Sequence, residues 1–493
     1  MDECLANETQ KQAGESEFRE GGESGADNVE INSAETDISN KRMKEMGMDR
    51  LSALPDCLLI HILSFLGLKK AAITSLLGKR WKFLWTELPT LEFSLWEKWE
   101  SRDKITQARR EFVARVHKTL ATRSGKSLEK MDISFHYNEC FASDVDSWLG
   151  VSLKLKVKHV VLSLSSSLFS EHVYTLPEKM YTYSSLTSLS LHGCIFEPER
   201  EIKWQSLTYL DISNVYLPQP ILDNILSGCP VLTRLHLSEC WGFTCFEIHS
   251  QNLGELSVHD SFQESSDDDF FKISAPHLKS LYVSSLDTLD TKLKLSNISS
   301  LVSASFHFYD VWNSGSEDVL SNTREIFESS QHVKKLEVGC EIIKALVAVL
   351  LRGHWQLPKS TRRCLTISSF IHDKENVSGI LGLLESSPNL ETLVIEHYDP
   401  HEIAEENWVL PGRCDMGCDL LHLKTVKMYS MADPKLGGEP LLMLARILLE
   451  RAPALEEMVI WVRVENVSDF AKIGQALLTY PGASPKAVIS FLP

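Results

Sequence analysis

The sequence is short of the features that would place it in a membrane or on a nucleic acid. It contains no run of about 18 apolar residues, so no membrane-spanning helix is expected. The opening residues, MDECLANETQ, have no basic start followed by an apolar core, and no secretory leader is expected. Basic residues are outnumbered, 50 Lys+Arg against 67 Asp+Glu. The resulting net charge of −17 argues against general nucleic-acid binding, which needs a basic surface. The 11 cysteines are scattered and odd in number, so they read as reduced thiols of a nuclear or cytoplasmic protein. In that setting the Asn-x-Ser/Thr sites at Asn297 and Asn376 have no glycosylation meaning.

Signatures of chemistry are also missing. No GxxxxGK[ST] phosphate loop, GxSxG elbow or GxGxxG fingerprint occurs. His401-Glu402-Ile403-Ala404-Glu405 begins like a zinc-protease motif but has Glu405 where the second ligand belongs. His397, His401, Cys414 and Cys418 have the spacing of a zinc finger in reversed order. Asp399-Pro400 and Asp415-Met416-Gly417 make that segment a loop, so no metal, no cofactor and no catalytic residue is assigned, and the chain reads as a non-enzyme.

What is present divides the chain. Residues 1–48 hold twelve acidic and five basic residues and few large apolar ones, too few to offset the entropy of ordering, and read as a disordered acidic tail. Lys41-Arg42-Met43-Lys44 is a small basic cluster suited to nuclear import or simply to solvation. Asp49–Trp85 then reads as three short helices. Pro55 can open the first, and Asp56 complements its dipole. Leu58, Ile62 and Phe65 recur at helical spacing, with Leu59, Leu63 and Leu66 beside them. Gly67 stops this run, Lys69–Leu77 fits a second helix, and Lys79–Trp85, after Gly78, fits a third. So short a segment cannot bury so much apolar surface alone and needs a partner surface. Leu91–Phe93 follows as a short strand. Ile105–Thr122, with Phe112, Val116 and Leu120 at four-residue steps, is expected to be an amphipathic spacer helix.

From there an apolar-x-x-apolar-x-apolar pattern recurs, beginning at Leu128, Val157, Leu186, Leu207, Leu232, Leu253, Leu278, Leu301, Val333, Leu390, Leu423 and Leu455, with a weakened copy at Arg362. A period of roughly 20 to 30 residues marks leucine-rich repeats. Each repeat supplies a short strand whose alternate residues point inward, and stacked repeats share one core. The irregular steps imply connecting segments that are helical in places, as at Asp223–Ser227 and Gly379–Glu385. Outward strand positions would line the concave face expected of such a solenoid, a common partner surface. They are Ser188, Ser190, His192, Tyr209, Asp211, Ser213, Arg234, His236, Ser238, Glu255, Ser257, His259, Ser280, Tyr282 and Ser284. Of these, His192, Tyr209, Asp211, Arg234, His236, Glu255, His259 and Tyr282 are the candidate substrate-binding residues. Ser265-Ser266-Asp267-Asp268-Asp269 is an acidic insertion suited to phosphorylation or solvation.

Asp49-Arg50-Leu51, Leu54-Pro55-Asp56, Ile62-Leu63-Ser64-Phe65-Leu66, Thr74-Ser75, Lys79-Arg80-Trp81 and Leu84-Trp85 together resemble an F-box. Leu176-Pro177-Glu178, Gly228-Cys229-Pro230-Val231-Leu232 and Ala275-Pro276-His277-Leu278 resemble phrases of plant F-box repeat proteins, and 418–426 with 448–456 resembles an FBD module. The chain is thus similar to plant F-box/leucine-rich-repeat/FBD proteins, departing from the pattern at Gly67-Leu68 and Gly78. The fold class expected is α/β, an all-α F-box followed by an irregular leucine-rich-repeat solenoid closed by an FBD module. Expected boundaries are 1–48 for the tail, 49–95 for the F-box, 96–125 for a linker helix, 126–405 for the solenoid and 406–493 for the FBD and cap.

The resemblance implies docking on a Skp-type adaptor, and through it on a cullin and a RING subunit of an SCF ubiquitin ligase. It implies a buried adaptor contact through Leu54, Pro55, Leu59, Ile62, Leu63 and Leu66, with Trp81 as an aromatic anchor and Leu58 and Phe65 supporting the F-box's own packing. The repeats would hold a protein substrate for ubiquitination, with no nucleic-acid or membrane partner. A repeat scaffold or transcription-associated adaptor working outside any ligase is the alternative reading. With the core of the repeats and a cap of its own, the solenoid would leave the F-box projecting at one end.

Overall fold

In the computed structural model, the described residues are 51, 53–95, 102–123, 128–165, 173–261, 270–285, 292–308, 317–353, 355–369, 374–397, 417–430, 434–462 and 474–492. The acidic tail, the basic cluster at 41–44, the acidic insertion at 265–269, His401–Glu405 and Cys414 lie outside them. Two compact units, 1–59 and 60–493, partition the chain.

The described part of the first unit ends in the opening turn of a helix, Asp56–Ser64. The carbonyl of Pro55 accepts hydrogen bonds from the amides of Leu58 and Leu59 at 3.0 and 3.1 Å. Proline fits at this entry because its missing N–H would be unpaired there, and Asp56 in the first turn complements the helix dipole. Leu59 is fully buried, whereas Pro55 and Leu58 are exposed.

The second unit takes up the end of that helix. Gly67, at φ +69°, turns the chain into a second helix, Gly67–Ile73, continued by a 3₁₀ turn, Thr74–Leu77. The expected third helix over 79–85 is not formed. Gly78 is fully extended, residues 79–83 form turns, and a 3₁₀ turn spans Leu84–Glu87. An extended residue carries no helical hydrogen bonding across itself, and the Trp81 amide instead donates to the Gly78 carbonyl at 3.1 Å. Trp81 and Leu84 are the buried residues that hold 79–85 in place.

The repeat pattern becomes one parallel sheet of fifteen strands. They are β1 (Thr90–Leu95), β2 (Lys130–His136), β3 (His159–Ser165), β4 (Ser188–His192), β5 (Tyr209–Tyr216), β6 (Arg234–Trp241), β7 (Glu255–His259) and β8 (Ser280–Ser285). They continue as β9 (Ser303–Phe308), β10 (Lys335–Gly339), β11 (Cys364–Ser369), β12 (Thr392–His397), β13 (Thr425–Ser430), β14 (Glu457–Val462) and β15 (Val488–Leu492). Every motif start lies two residues before a strand, from Leu128 before β2 to Leu455 before β14. The mixed α/β solenoid is therefore as the sequence implies.

The register shows why the spacing is kept. Leu189, Leu210, Leu235, Leu256 and Leu281 are partners on adjacent strands, and all are buried. Each such side chain contributes about 1.5–3 kcal/mol on leaving water, but only when the next repeat covers it.

The layer behind the sheet varies from step to step. Helices fill it at Ala142–Leu155, Gln219–Gly228, Glu317–Ser329, Cys340–Leu351, Lys374–Glu385 and Pro434–Arg451. Across the short steps between Leu232 and Leu301 the chain instead runs extended, as a second parallel sheet of Cys245–Glu247, Phe270–Ser274 and Lys292–Ser296. A strand spans a given distance with fewer residues than a helix, but length alone does not decide, since the step from Leu207 to Leu232 is as long as that from Leu253 to Leu278 and holds the helix Gln219–Gly228.

β1, at the end of the segment expected as the F-box, is the first strand of the sheet, in register with β2. The helix Arg102–Thr122 is not a spacer. Its Phe112 and Val116 are buried, and the Phe112 ring lies 5.2 Å from Phe135 and 6.5 Å from Trp148, so it forms the helical layer of the first repeat. The helix Gly67–Ile73 in turn packs on β1 and on the 84–87 turn, so this part of the F-box sits directly on the sheet's first strand. At the other end, β13, Pro434–Arg451 and β14 give the strand-helix-strand order expected of the last module, and β15 extends the same sheet. No described helix is long and apolar enough to cross a membrane.

Candidate functional site

Two surfaces combine exposure with recognisable chemistry. The first is the segment that follows the opening helix. Ile62, Phe65, Leu66, Ile73, Leu76, Leu77 and Phe83 are exposed, with Phe65 at 75% and Leu76 at 85%. Seven large apolar side chains left in water within 22 residues exceed the scattered exposure normal for a monomer. Beneath them Leu63, Ala71, Trp81, Leu84 and Leu88 are buried, so this segment has an interior of its own.

The division of labour departs from the one expected. Leu59, Leu63 and Trp81, expected as partner contacts, are enclosed within the chain, Trp81 at only 3% exposure. Leu58 and Phe65, expected to support internal packing, are exposed. The reason is the pitch of the helix: Leu59 and Leu63 are four apart and share a face, and Leu58, Ile62 and Phe65 turn the other way. Among the remaining expected contacts Pro55, Ile62 and Leu66 are exposed and Leu54 is half-buried.

The second surface is the open face of the parallel sheet. All eight candidate substrate-binding residues project from it, because they alternate with buried leucines. Tyr209, Arg234 and Glu255 form one row; Asp211, His236 and Tyr282 belong to the next; His192 and His259 belong to a third. The structure brings four rings of this face together. His236, His259, Tyr282 and His307 stack across β6–β9 with successive centroid separations of 4.8, 4.5 and 5.5 Å. The stack alternates between two rows, since His236 and Tyr282 lie in one and His259 and His307 in the next. His192 stands apart from it, with Ser213 and Ser238 between it and His259 in the row.

Carboxylates flank the stack. Asp211 accepts hydrogen bonds from the hydroxyls of Ser190 at 2.7 Å and Ser213 at 3.4 Å. Glu337 accepts from Ser305 at 2.8 Å, and its Oε1 lies 3.2 Å from Nε2 of His307. Those contacts, His307 first, hold the Glu337 carboxyl below its ordinary range. His259, hydrogen-bonded through Nδ1 to Ser284 at 2.9 Å, has its pKa lowered by burial and by the neighbouring His236 and His307. Arg234 places its guanidinium 5.0 Å from the centre of the Tyr209 ring, a cation–π contact. His307, Glu337 and Gly339 were not among the sequence candidates. Carrying the outward register two repeats past Tyr282 would have found them.

Other chemistry is sparse. No group of three metal-ligating side chains occurs among the described residues. The thiols of Cys229, Cys240 and Cys340 are pushed up to about 12 by burial, which leaves them protonated and poor nucleophiles at neutral pH.

Comparison with known proteins finds matches over both the N-terminal segment and the repeats. The family described as "At1g61320/AtMIF1, LRR domain" matches residues 119–471, and "F-box domain" matches 51–93. The Arabidopsis thaliana "F-box/LRR-repeat protein At5g02910" is 31% identical over 370 residues, 73% of this chain and 74% of that one. The Arabidopsis thaliana "F-box/FBD/LRR-repeat protein At5g56420" is 29% identical over 398 residues, 77% of this chain and 84% of that one.

Proposed function

The chain belongs to the plant F-box/leucine-rich-repeat/FBD family, and we propose that it is the substrate-recognition subunit of an SCF-type ubiquitin ligase. The observation that supports this most is the set of exposed apolar side chains from Ile62 to Phe83, standing over an interior that is already closed. Such a set is stabilised by burial against a partner's apolar surface, and a Skp-type adaptor is the partner an F-box implies. Phe65 and Leu76, the most exposed, would be the principal anchors. Ile62, Leu66, Ile73, Leu77 and Phe83 would complete this contact, and Pro55 and Leu58 are further candidates to be tested separately.

The repeat sheet would hold the substrate on its open face. A cullin and a RING subunit would bring the ubiquitin-loaded enzyme, and catalysis would be proximity between it and the substrate's lysines. This chain would supply geometry and no reacting group. Action in the nucleus, the cytoplasm or both fits this role.

The test is proximity labelling in plant cells with and without proteasome inhibition, comparing the intact chain with Phe65→Asp/Leu76→Asp. Proteins that accumulate on inhibition with the intact chain only would support the receptor reading. Identical labelled sets, with unchanged biological activity of the double variant, would favour a repeat scaffold working outside a ligase.

A further inference from the structure

We infer that the back of the solenoid carries a peptide-binding cleft between the helix Gln219–Gly228 and the strand Cys245–Glu247. Its ligand is an extended segment of a partner protein with a large apolar side chain beside a basic one. The cleft lies in the layer behind the parallel sheet and does not depend on what the open face holds.

The back layer changes here from helix to strand. A cavity of about 450 Å³ opens at the change, within the roughly 300–1,000 Å³ typical of ligand sites. Leu226, Leu232, Ile248 and Leu253 give it apolar walls, and Asp223 and Glu247 bring carboxylates to it.

The strand Cys245–Glu247 is the outer strand of the second sheet, so one of its edges has no neighbouring strand. The hydrogen-bond ladder fixes which groups face that edge. The Lys272 amide donates to the Thr244 carbonyl at 2.9 Å, and the Ile248 amide donates to the Ser274 carbonyl at 2.9 Å. Alternation along the strand therefore turns the N–H and C=O of Cys245 and Glu247 away from Phe270–Ser274 and toward the open edge.

At Cys245 a side chain takes the place of a further strand. The Gln219 Oε1 accepts from the amides of Thr244 and Cys245 at 3.1 and 3.0 Å, and its Nε2 donates to the Cys245 carbonyl at 2.8 Å. A carboxamide has the donor and the acceptor of a peptide unit, so this edge already holds one peptide-like group. Two residues on, the N–H and C=O of Glu247 meet no partner among the described residues, and Glu247 lines the cavity. An extended segment entering the cleft supplies at Glu247 what Gln219 supplies at Cys245, which is strand addition to a sheet edge. The apolar walls take the side chain beside that pairing.

Charge sets the neighbouring residue. Glu247 is paired with Lys272 at 3.0 Å. Asp223 accepts through Oδ1 from the Gln219 Nε2 at 2.8 Å, a neutral donor, and no described cation pairs with it. A basic residue is favoured beside Asp223, and an acidic one is repelled.

The test uses the full chain and short fluorescent peptides, degenerate around a fixed Leu-Lys, Leu-Glu or Ser-Lys pair, with binding read by anisotropy and amide hydrogen exchange read by mass spectrometry at residue resolution. The Leu-Lys set is expected to bind roughly tenfold more tightly than Ser-Lys, for the lost apolar contact, and roughly fivefold more tightly than Leu-Glu. Saturation with Leu-Lys should slow exchange at the Glu247 amide, while the Cys245 amide, held by Gln219, is slow throughout. Ser227→Trp, which fills the cavity from an exposed position on the helix, should abolish binding. Asp223→Asn keeps an acceptor for Gln219 and should erase the preference for Leu-Lys over Leu-Glu, so a folding defect in Ser227→Trp would not shield the proposal. Equal binding of the three sets, undiminished binding by a folded Ser227→Trp, an unaltered preference in Asp223→Asn, or binding without slowed exchange at Glu247 would each overturn it. Slow exchange at Glu247 with no peptide present would overturn it too, assigning the edge to a second copy if it depends on protein concentration and to a segment of this chain if it does not.

Discussion

Gly339 on β10 lies against His307 on β9 so closely that a methyl group added at Gly339 would sit 3.3 Å from both the Cα and the Nδ1 of His307. The Gly339 backbone, at φ −80°, is open to any residue, so the demand for glycine comes from the neighbouring ring. That ring ends the four-ring stack and contacts Glu337. Gly339→Val should cost roughly 1–3 kcal/mol through overpacking. In urea titrations it should lower the midpoint, and the His307 Cε1–H resonance should move with it. An unchanged midpoint and resonance would show that the stack is loose at this end.

The Arg362 side chain occupies an inward repeat position, in sequence register with Val333 before it and Leu390 after it. It is fully buried, and its Nε, Nη1 and Nη2 find no hydrogen-bond acceptor among the described residues. Burial lowers its pKa to about 10. A buried charge without a partner opposes folding, so Arg362→Leu should stabilise the chain by about 1–4 kcal/mol. Equilibrium unfolding at neutral pH checks this, and a loss of stability would mean that the guanidinium has an essential acceptor.

Much of this fold is legible in the sequence because one physical requirement recurs. A leucine at each inward position must meet its neighbour, so Leu189, Leu210, Leu235, Leu256 and Leu281 can be read before they are seen together. Arg362 is where the pattern weakens, and its strand forms all the same because Leu365 and Ile367 remain. Segments between strands are harder to read, since a strand such as Phe270–Ser274 and a helix such as Gln219–Gly228 both bury apolar residues and stand in steps of equal length, Leu253 to Leu278 and Leu207 to Leu232. The F-box surface was only half legible. Periodicity shows that Leu58 and Leu59 lie on different faces of one helix, but not which face meets the chain's own interior. The ring stack depends on distances across four strands, and no single repeat contains it.

His259 gives the stability a pH dependence with a definite sign. Its folded pKa lies below the ordinary 6.5, so between the two values the unfolded chain binds more protons. Stability from this group is present above about 6.5 and falls as pH drops through the histidine range. Glu337 acts in a lower window: its folded pKa is below 4.5, so its contribution holds above that value and is lost as pH falls through the folded pKa. Thermal melts from pH 7.5 to 5.5 should show falling stability, and His259→Gln should flatten the slope. An equal slope in the variant would assign the dependence to other histidines.

The central claim is that the exposed apolar side chains from Ile62 to Phe83 bind a Skp-type adaptor. Its most direct measurement is the affinity of the full chain for a purified plant adaptor, by calorimetry, against Phe65→Asp/Leu76→Asp. Both substituted side chains are exposed, so the variant's thermal unfolding should match the parent's. The account predicts saturable one-to-one binding by the parent and a loss of at least roughly a hundredfold in the double variant, as for removal of buried interface anchors. Equal affinity of parent and variant, with both folded, would contradict it.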